Sequence, residues 1–487
     1  MKVPNKIVLI RPPEINRVWA GIPKFFNDGI FLFPPLGIMQ LKAYIEEYTA
    51  YEVIIYDSLI YKADYKKIAE FVKKTSPRMV GISAFTHSLA DVIETAREVK
   101  KINPEVFITI GGPHTYAFPE ESAYLLNSGH IDYIILGDGE EGLKNLLDAL
   151  DKDIDFSKLS GIIYKDKYGE IKKNGEPQFI ENLDSLPLVS HDINGFKHYY
   201  TPASSGCTMT TIITSRGCPY KCKFCNVQKR YRSRSVKSIV DEIELCSKNG
   251  FKEIFFVDDT FNASVKRVID ISKEILVRRL RIKWGFKARC DNVNSEMLKI
   301  AKLAGCFRIH YGVETGLAEG LSSVNKKVTL EEIEFAFNET KKFGIRSTAY
   351  FMIGCPHEKC ISDIVSSINF ACSLRADFAV FSLFSPYSDT AFYKEGVEKN
   401  IIDPAAWNEF IKNPHSGHNL PTYWEEYFSK ADLIRFLILA HRRFYYRPRI
   451  IFNALLGILS FKEFARLFNG LVSLVKLESL YIHKRSF

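Results

Sequence analysis

Ten cysteines occur in this 487-residue chain, and none lies among the first 206 residues. That absence excludes a disulfide framework spread through the fold and confines thiol chemistry to the second half, in a reducing compartment. Long apolar runs are also missing. The opening MKVPNKIVLIRPPE holds an uninterrupted apolar run of only four residues, Ile7–Ile10, far short of the core of a secretion signal, so the expected compartment is the cytoplasm. No internal repeat or low-complexity tract stands out. With 46% hydrophobic and 25% charged residues, the composition excludes a largely disordered chain. The length exceeds what one hydrophobic core supports and predicts two or three domains.

The formal net charge is only +9, but it is uneven. Basic residues gather after Gln228, in KRYRSR, and again in HRRFYYRPR from His441 to Arg449. Such faces are either simply solvated or meet an anionic ligand, a nucleic acid or a membrane surface. No RNA-binding motif accompanies them, which leaves no clear nucleic-acid partner.

Over residues 1–150 the runs KIVLI, EVIIYD, RMVGISA, VFITIGG and DYIILGDGE alternate with stretches such as LGIMQLKAYIEEY, whose apolar residues recur at helical spacing. The alternation predicts an α/β domain, a doubly wound, Rossmann-like parallel sheet with helices on both faces. Ligands of such sheets bind beyond the carboxyl ends of the strands. Those ends carry Ser83, Thr86 and His87, then Gly111, Gly112, Pro113 and His114, then Gly137, Gly139 and Glu140. The glycines either admit a bulky ligand close to the backbone or merely make tight turns. Residues 151–205 combine a hairpin pattern, SGIIYKDKYGEIKKNG, with a proline-containing connector, ENLDSLPLVSHDI, and are expected to form a hairpin and linker.

A second βα series begins at Thr211, with strands TIITS, EIFFVDD, KWGFKARCD, RIHYGVET, RSTAYFMIG and DFAVFSLF. Six βα units within residues 206–400 predict a partial (β/α)6 barrel, not fully closed, with its active site at the carboxyl ends of the strands. Residues 401–487 lose the strand pattern and read as a helical C-terminal region. Their segments KADLIRFLILAHRRFYY and IIFNALLGILSFKEFARLFNGLVSLVKL are broken by charge or glycine too soon to span a bilayer. They form either a packed cap or a helix lying in a membrane interface, a peripheral membrane contact.

The stretch RGCPYKCKFC, after the first barrel strand, separates Cys218, Cys222 and Cys225 by three and then two residues. A structural zinc site uses four protein ligands, whereas a catalytic one keeps three and an open position. A 4Fe–4S cluster normally takes four cysteines, so three leave one iron free for a substrate or cofactor. The spacing wraps one loop around a cubane more naturally than around a tetrahedral ion. Cys207, Cys246, Cys290, Cys306, Cys355, Cys360 and Cys372 lack further ligands nearby and are expected in packing roles.

The cysteine spacing, the aromatic Phe224 before the third thiol, and the place of the loop after the first of six strands resemble the radical S-adenosylmethionine enzymes. VDDTFN, KARCD, AGCFRIHYGVETG and MIGCPHE at the next four strands, with PPLGIMQLKAYI early in the preceding sheet, resemble in particular the members that carry a cobalamin-binding domain ahead of the barrel. The resemblance implies a 4Fe–4S cluster on Cys218, Cys222 and Cys225, S-adenosylmethionine on the free iron, and cobalamin at the strand ends of the first sheet. It further implies that Glu314 and Asp258 or Asp259 hold the ribose hydroxyls and methionine amine of S-adenosylmethionine, since carboxylates accept from both. Arg289 would pair with its carboxylate, Gly354 and Pro356 would shape a loop near the adenine, and the backbone beside Phe224 would meet the adenine edge. One departure stands out. The Asp-x-His-x-x-Gly motif that supplies a histidine to cobalt in many cobalamin proteins is absent from residues 1–150, so His87 and His114 lack that context.

The leading expectation is a radical enzyme that methylates an unactivated carbon of a small molecule, with cobalamin carrying the methyl group and a flavodoxin- or ferredoxin-like protein donating electrons. The alternative from the same parts is a radical cyclase or rearrangement enzyme, and the apolar, basic C-terminal region suits a lipid, isoprenoid or tetrapyrrole. A methylthiotransferase would be expected to carry a second cysteine cluster in the first half, where none exists. A non-enzymatic iron–sulfur module would not need a six-strand barrel.

Overall fold

The computed structural model of the chain describes residues 5–18, 32–191, 199, 208–414 and 420–456. The described residues fall into two compact units. The first is drawn from Met1–Trp19, Pro35–Ser190 and Asp403–Pro421, the second from Ala20–Pro34, His191–Ile402 and Thr422–Phe487.

In the first unit β1 (Lys6–Arg11), β2 (Glu52–Asp57), β3 (Met79–Ser83), β4 (Phe107–Gly111), β5 (Tyr133–Ile135), β6 (Ile162–Lys165) and β7 (Ile171–Asn174) form one sheet in the order β2-β1-β3-β4-β5-β6-β7. The four central residues of β1 are all buried, as expected of a strand covered on both faces. Ile7 and Leu9 pack with Ile38 and Ile45 of the helix Leu36–Tyr48 and with Leu143, Leu146 and Leu147 of the helix Gly139–Lys152. Val8 and Ile10, also buried, point to the opposite face by strand alternation, the side of the paired helices Tyr65–Thr75 and Leu89–Ile102. Burying each such side chain contributes about 1.5–3 kcal/mol.

β1 to β5 are parallel. Their order reverses between β1 and β3, so the connections leave in opposite directions and open a crevice at the carboxyl ends of those strands. The hairpin expected within the linker is part of this sheet: β6 pairs antiparallel with β5, and β7 with β6. Beyond it Gln178 bridges back to Gly137, and its carbonyl accepts from Asp138 N–H at 2.8 Å.

The second unit contains β8 (Met209–Ile212), the two-stranded ribbon β9 (Ser215–Arg216) and β10 (Arg232–Ser233), and β11 (Glu253–Phe256), β12 (Lys283–Arg289), β13 (Cys306–Glu314), β14 (Arg346–Ile353) and β15 (Phe378–Leu383). All six expected barrel strands are present, parallel, in the order β15-β14-β13-β12-β11-β8, with β8 and β15 left as edges. Tyr311 of β13 donates or accepts a 2.8 Å hydrogen bond with Thr340 of the helix Leu330–Lys342. Its neighbours His310 and Gly312 therefore face the inside of the barrel. On β14 and β15 the outward Ala349, Phe351, Ile353, Ala379, Phe381 and Leu383 are buried, while the inward Tyr350, Met352, Val380 and Ser382 are half-exposed. The barrel interior is thus open. The helix Lys430–Tyr445 covers the β15 edge, and the Tyr445 hydroxyl donates to Ala379 C=O at 2.7 Å, which blunts an otherwise unpaired strand.

The segments expected as one C-terminal helical region fall in both units. The helix Ala406–Lys412 belongs to the first, where the Trp407 ring lies 5.0 Å from that of Phe118. Most of the apolar segment from Ile450 lies outside the described residues. Among the described residues no helix is long and apolar enough to cross a membrane.

Candidate active site

The cysteine loop leaves β8 through the β9–β10 ribbon, which brings residues 216 and 232 together and makes a narrow neck. Gly217 starts the loop at φ +77°, and a Cβ there would lie 2.4 Å from Arg230 C=O, so the neck requires glycine. Cys218 N–H donates to Gln228 C=O at 2.8 Å. On the far side Lys223 N–H donates to Val324 C=O at 3.1 Å, and Asn325 Nδ2 donates to Lys221 C=O at 2.7 Å. The loop is thereby closed on itself at its neck and tied on its far side to the turn that follows the helix Ala318–Ser323.

All three thiols are free and partly exposed. Burial raises Cys222 and Cys225 above the ordinary thiol range, and at Cys222 the Lys326 and Arg289 cations oppose it. Among the described residues no three His, Cys, Asp or Glu side chains gather around a single metal-ion position. Phe224 is half-buried within the loop.

Two cations face this loop, Arg289 from the end of β12 and Lys326 from the turn after the helix Ala318–Ser323. Arg289 Nη1 lies 4.0 Å from Cys222 Sγ, its guanidinium covers the Tyr220 ring at 3.8 Å, and Nε and Nη2 donate to Asp291 at 2.9 and 2.8 Å. Nη2 also donates to Lys326 C=O at 2.5 Å. Lys326 Nζ in turn donates to Glu314 Oε1 at 2.6 Å. Burial opposes the Lys326 charge, but Glu314 holds its pKa above the ordinary lysine value. Glu314 has φ +73°, a left-handed conformation that costs a non-glycine residue about 1–2 kcal/mol. The β13–β14 register shifts between Gly312 and Glu314. A Cβ on Gly312 would stand 2.5 Å from Glu314 Oε1 and 2.8 Å from Lys326 Nζ, so the bare position makes room for the pair.

Asp258 is buried and fully committed: it accepts from Thr214 N–H at 2.6 Å, from the Thr214 hydroxyl, and from Ser215 Oγ at 3.0 Å. Asp259 keeps the open carboxylate of the two. It is exposed to solvent, yet protein around it desolvates the carboxyl enough to raise its pKa, with Lys287 opposing and Asp258 adding. Thr260, next in the chain, contacts Cys218 Sγ at 3.3 Å. Gly354 and the buried Pro356 lie on the loop after β14. There Glu358 Oε2 accepts from Gly354 N–H at 2.6 Å and Cys355 N–H at 3.0 Å, and burial pushes Glu358 up to about 7 against those two bonds. His357 ties this loop to Thr315 at 3.1 Å, the residue after Glu314.

In the first unit, Ser83 pairs in register with Gly111, Ala84 N–H donates to Gly111 C=O at 2.8 Å, and His114 N–H donates to Ala84 C=O at 3.1 Å. A Cβ on Gly112 would lie 3.1 Å from Ala84 C=O, so the loops after β3 and β4 are joined closely. His114 is fully buried. Its Nδ1 meets Thr86 Oγ1 at 3.1 Å, and burial lowers it to about 3, so the ring is neutral. His87 lies 3.9 Å from Glu14. Burial, aided by the Arg17 charge, lowers His87 to about 4. Exposed Pro113 opens the helix Pro113–Ala117, and Gly139 with the buried Glu140 opens Gly139–Lys152. Half-exposed Ser83, Gly111, Gly112, Gly137 and Gly139 leave a low strand-end edge with little side-chain relief, a surface on which a flat macrocycle can lie.

A model of the B12 binding domain matches residues 31–147, and one of the Radical SAM superfamily matches residues 212–371. Over 456 residues the chain is 31% identical to an uncharacterised methyltransferase of Pyrococcus horikoshii, covering 93% of this chain and 94% of that one. The chain belongs to the cobalamin-binding radical S-adenosylmethionine enzymes. Another member, the anaerobic magnesium-protoporphyrin IX monomethyl ester cyclase of Rubrivivax gelatinosus, is 25% identical over 87% of this chain and 76% of its own. The radical S-adenosylmethionine methyltransferase TsrM from Kitasatospora setae, solved with cobalamin and a 4Fe–4S cluster, shares the fold. Its TM-score is 0.67 at 20% identity, covering 82% of this chain and 78% of that one.

The cofactors of this radical S-adenosylmethionine enzyme are a 4Fe–4S cluster, S-adenosylmethionine and cobalamin. The residues present fit the cluster: three free thiols on one tethered loop, with two buried cations beside them to balance an anionic group. Sequence reasoning missed Lys326, which bears no motif of its own, and passed over Asp291 and Tyr220, which lie inside KARCD and RGCPYKCKFC. Glu358 could have been found, because it ends the stretch MIGCPHE.

Proposed function

We propose that this enzyme methylates an unactivated carbon of a small molecule. The observation that carries the reading is the charged cage around the cysteine loop, in which Arg289 lies 4.0 Å from Cys222 and Lys326 pairs with Glu314 at 2.6 Å. When bound, the cluster and S-adenosylmethionine supply a radical that abstracts hydrogen from such a carbon, and cobalamin supplies the methyl group.

The chain's own part is to bind and to orient. Cys218, Cys222 and Cys225 hold the cluster. Asp259, with its open carboxylate, and Glu314, set by its left-handed backbone, accept hydrogen bonds from the amine and ribose hydroxyls of S-adenosylmethionine. Arg289 presents Nη1 towards its carboxylate. The Gly354–Pro356 loop, fixed by Glu358, and the backbone beside Phe224 border the adenine. Ser83, Thr86, His87, Gly111–Gly112, Gly137 and Gly139 border the corrin, with Pro113, His114 and Glu140 shaping the edge from below. Electrons come from a flavodoxin- or ferredoxin-like donor, and the basic helix Lys430–Tyr445 suits a lipid, isoprenoid or tetrapyrrole.

The test is anaerobic. The protein is reconstituted with iron, sulfide and cobalamin, reduced, and given S-adenosylmethionine labelled in its methyl group. Label on the bound corrinoid, absent from Cys222→Ala, supports methyl transfer. Formation of 5′-deoxyadenosine with no label on the corrinoid overturns it and favours the cyclisation chemistry named for the Rubrivivax relative.

A further inference from the structure

The inner face of the barrel carries a polar layer that the cofactor assignment does not use. Along β12 the inward residues are Gly285, Lys287 and Arg289, and along β13 they are Arg308, His310, Gly312 and Glu314. The register sets Gly285 beside Arg308, Lys287 beside His310, and Arg289 beside Gly312. Arg308 closes the base of the column, bound to Glu253 at 3.0 Å, and Arg289 meets the cysteine loop at the top. Lys287 and His310 lie between.

His310 is 7% exposed. Its Nδ1 meets the Tyr350 hydroxyl at 3.0 Å, and among the described residues its buried Nε2 has no hydrogen-bond partner. Burial, with the charges of Arg308 and Lys287, lowers His310 to about 3, so the ring is neutral. With the Tyr350 hydroxyl donating to Nδ1, the ring proton sits on Nε2 and points to an absent acceptor. An orphaned buried donor costs about 1–3 kcal/mol, which a ligand oxygen would offset. Lys287 is half-exposed, and its charge also acts on the exposed carboxylate of Asp259. Phe255, 5.0 Å from the His310 ring, is itself buried, and half-exposed Phe33 stacks on it at 5.9 Å as the apolar surface beside this layer. The register sets Thr348 beside His310, and the inward Met352 lies further along β14, towards the carboxyl end.

We propose that Lys287 and His310, with Tyr350 behind, form an anchor for the anionic oxygen group, carboxylate or phosphate, of a substrate whose apolar body lies against Phe33 and extends along β14 towards Met352. The proposal deepens the reading of the barrel as the catalytic chamber. A cation and an N–H donor in one layer recognise an anionic oxygen group, whereas a neutral hydrocarbon substrate would leave the His310 donor unpaired.

The test is calorimetric titration of the reconstituted, S-adenosylmethionine-loaded full chain with benzoate, phenylphosphonate and the neutral analogue benzamide. Binding of at least one anion, roughly tenfold or more tighter than benzamide and weakened roughly tenfold by Lys287→Met, is the expected result for a charge-assisted contact. The stronger of the two anions identifies a carboxylate or a phosphate-type group. His310→Gln, which keeps an N–H donor, should retain more affinity than His310→Leu, and iron content and melting temperature show whether each variant is folded. Equal affinity for benzamide, no anion binding, or an anion affinity unchanged in Lys287→Met overturns the anchor. Because the readout is binding, a chain that holds the anion but cleaves no S-adenosylmethionine refutes the radical mechanism and leaves the anchor standing.

Discussion

Replacing Lys326 by methionine removes one half of a buried ion pair at the centre of the site. The Lys326 and Glu314 side chains are 7% and 11% exposed, with 2.6 Å between Nζ and Oε1. Withdrawing the cation leaves a carboxylate buried without compensation, which costs about 3–5 kcal/mol. For a unit of this size each kcal/mol lowers the melting midpoint by about 2–4 °C, so Lys326→Met should melt roughly 6–20 °C lower. The double variant Lys326→Met/Glu314→Gln has no buried charge to orphan and should recover most of that loss. The pH dependence carries a second signature. Lys326 has a raised pKa in the folded chain, so the pair stabilises fully below the unfolded lysine value near ~10.4 and loses its contribution as pH rises through the higher folded value. The gap between wild type and Lys326→Met should therefore close only in strong alkali. Thermal unfolding of the full chain, followed by near-ultraviolet circular dichroism across that pH range, measures both. A Lys326→Met variant that melts with the wild type, or a double variant no better than the single, refutes the reasoning.

Glu358→Gln should change the acid side instead. Burial raises the Glu358 carboxyl to about 7, so its contribution is present below the unfolded value near ~4.3 and is lost as pH rises through about 7. The amide keeps an acceptor for Gly354 and Cys355 but does not ionise, so melting midpoints should fall less from pH ~4.3 to ~7 in the variant than in the wild type; parallel profiles contradict the assignment. Gly217→Ala should lower the iron bound after anaerobic reconstitution, because φ +77° and a Cβ at 2.4 Å from Arg230 C=O both force the neck of the loop open. Cys360→Ala, at an exposed cysteine outside that loop in sequence, is the control that should keep its iron, and equal iron in both variants would contradict the role given to the neck.

Strand and helix order were legible in the residues because hydrophobic periodicity is a local signal. KIVLI, EIFFVDD and RIHYGVET each specify a strand without knowledge of their partners. The cysteine loop was equally legible, since its three ligands lie within eight residues, Cys218–Cys225, and loop spacing alone limits what they can hold. Glu314 and Arg289 were visible as polar residues at strand ends, and the structure does bring both towards Cys222. The hairpin was visible as a pattern, but not its attachment to β5, because the pairing partner of a strand is set by edges distant in sequence.

Only the tertiary structure decided the charges. It separated Asp258, spent on Thr214 and Ser215, from Asp259 with its open carboxylate, although the two are adjacent and chemically identical in sequence. It brought Lys326 from a helix exit to Glu314 and returned the helix Ala406–Lys412 to the first unit. The physical reason is the range of the forces involved. Backbone preference and hydrophobic period act within a few residues, whereas burial, ion pairing and the orphaned donor of His310 depend on which distant side chains the fold sets within a few ångströms of one another.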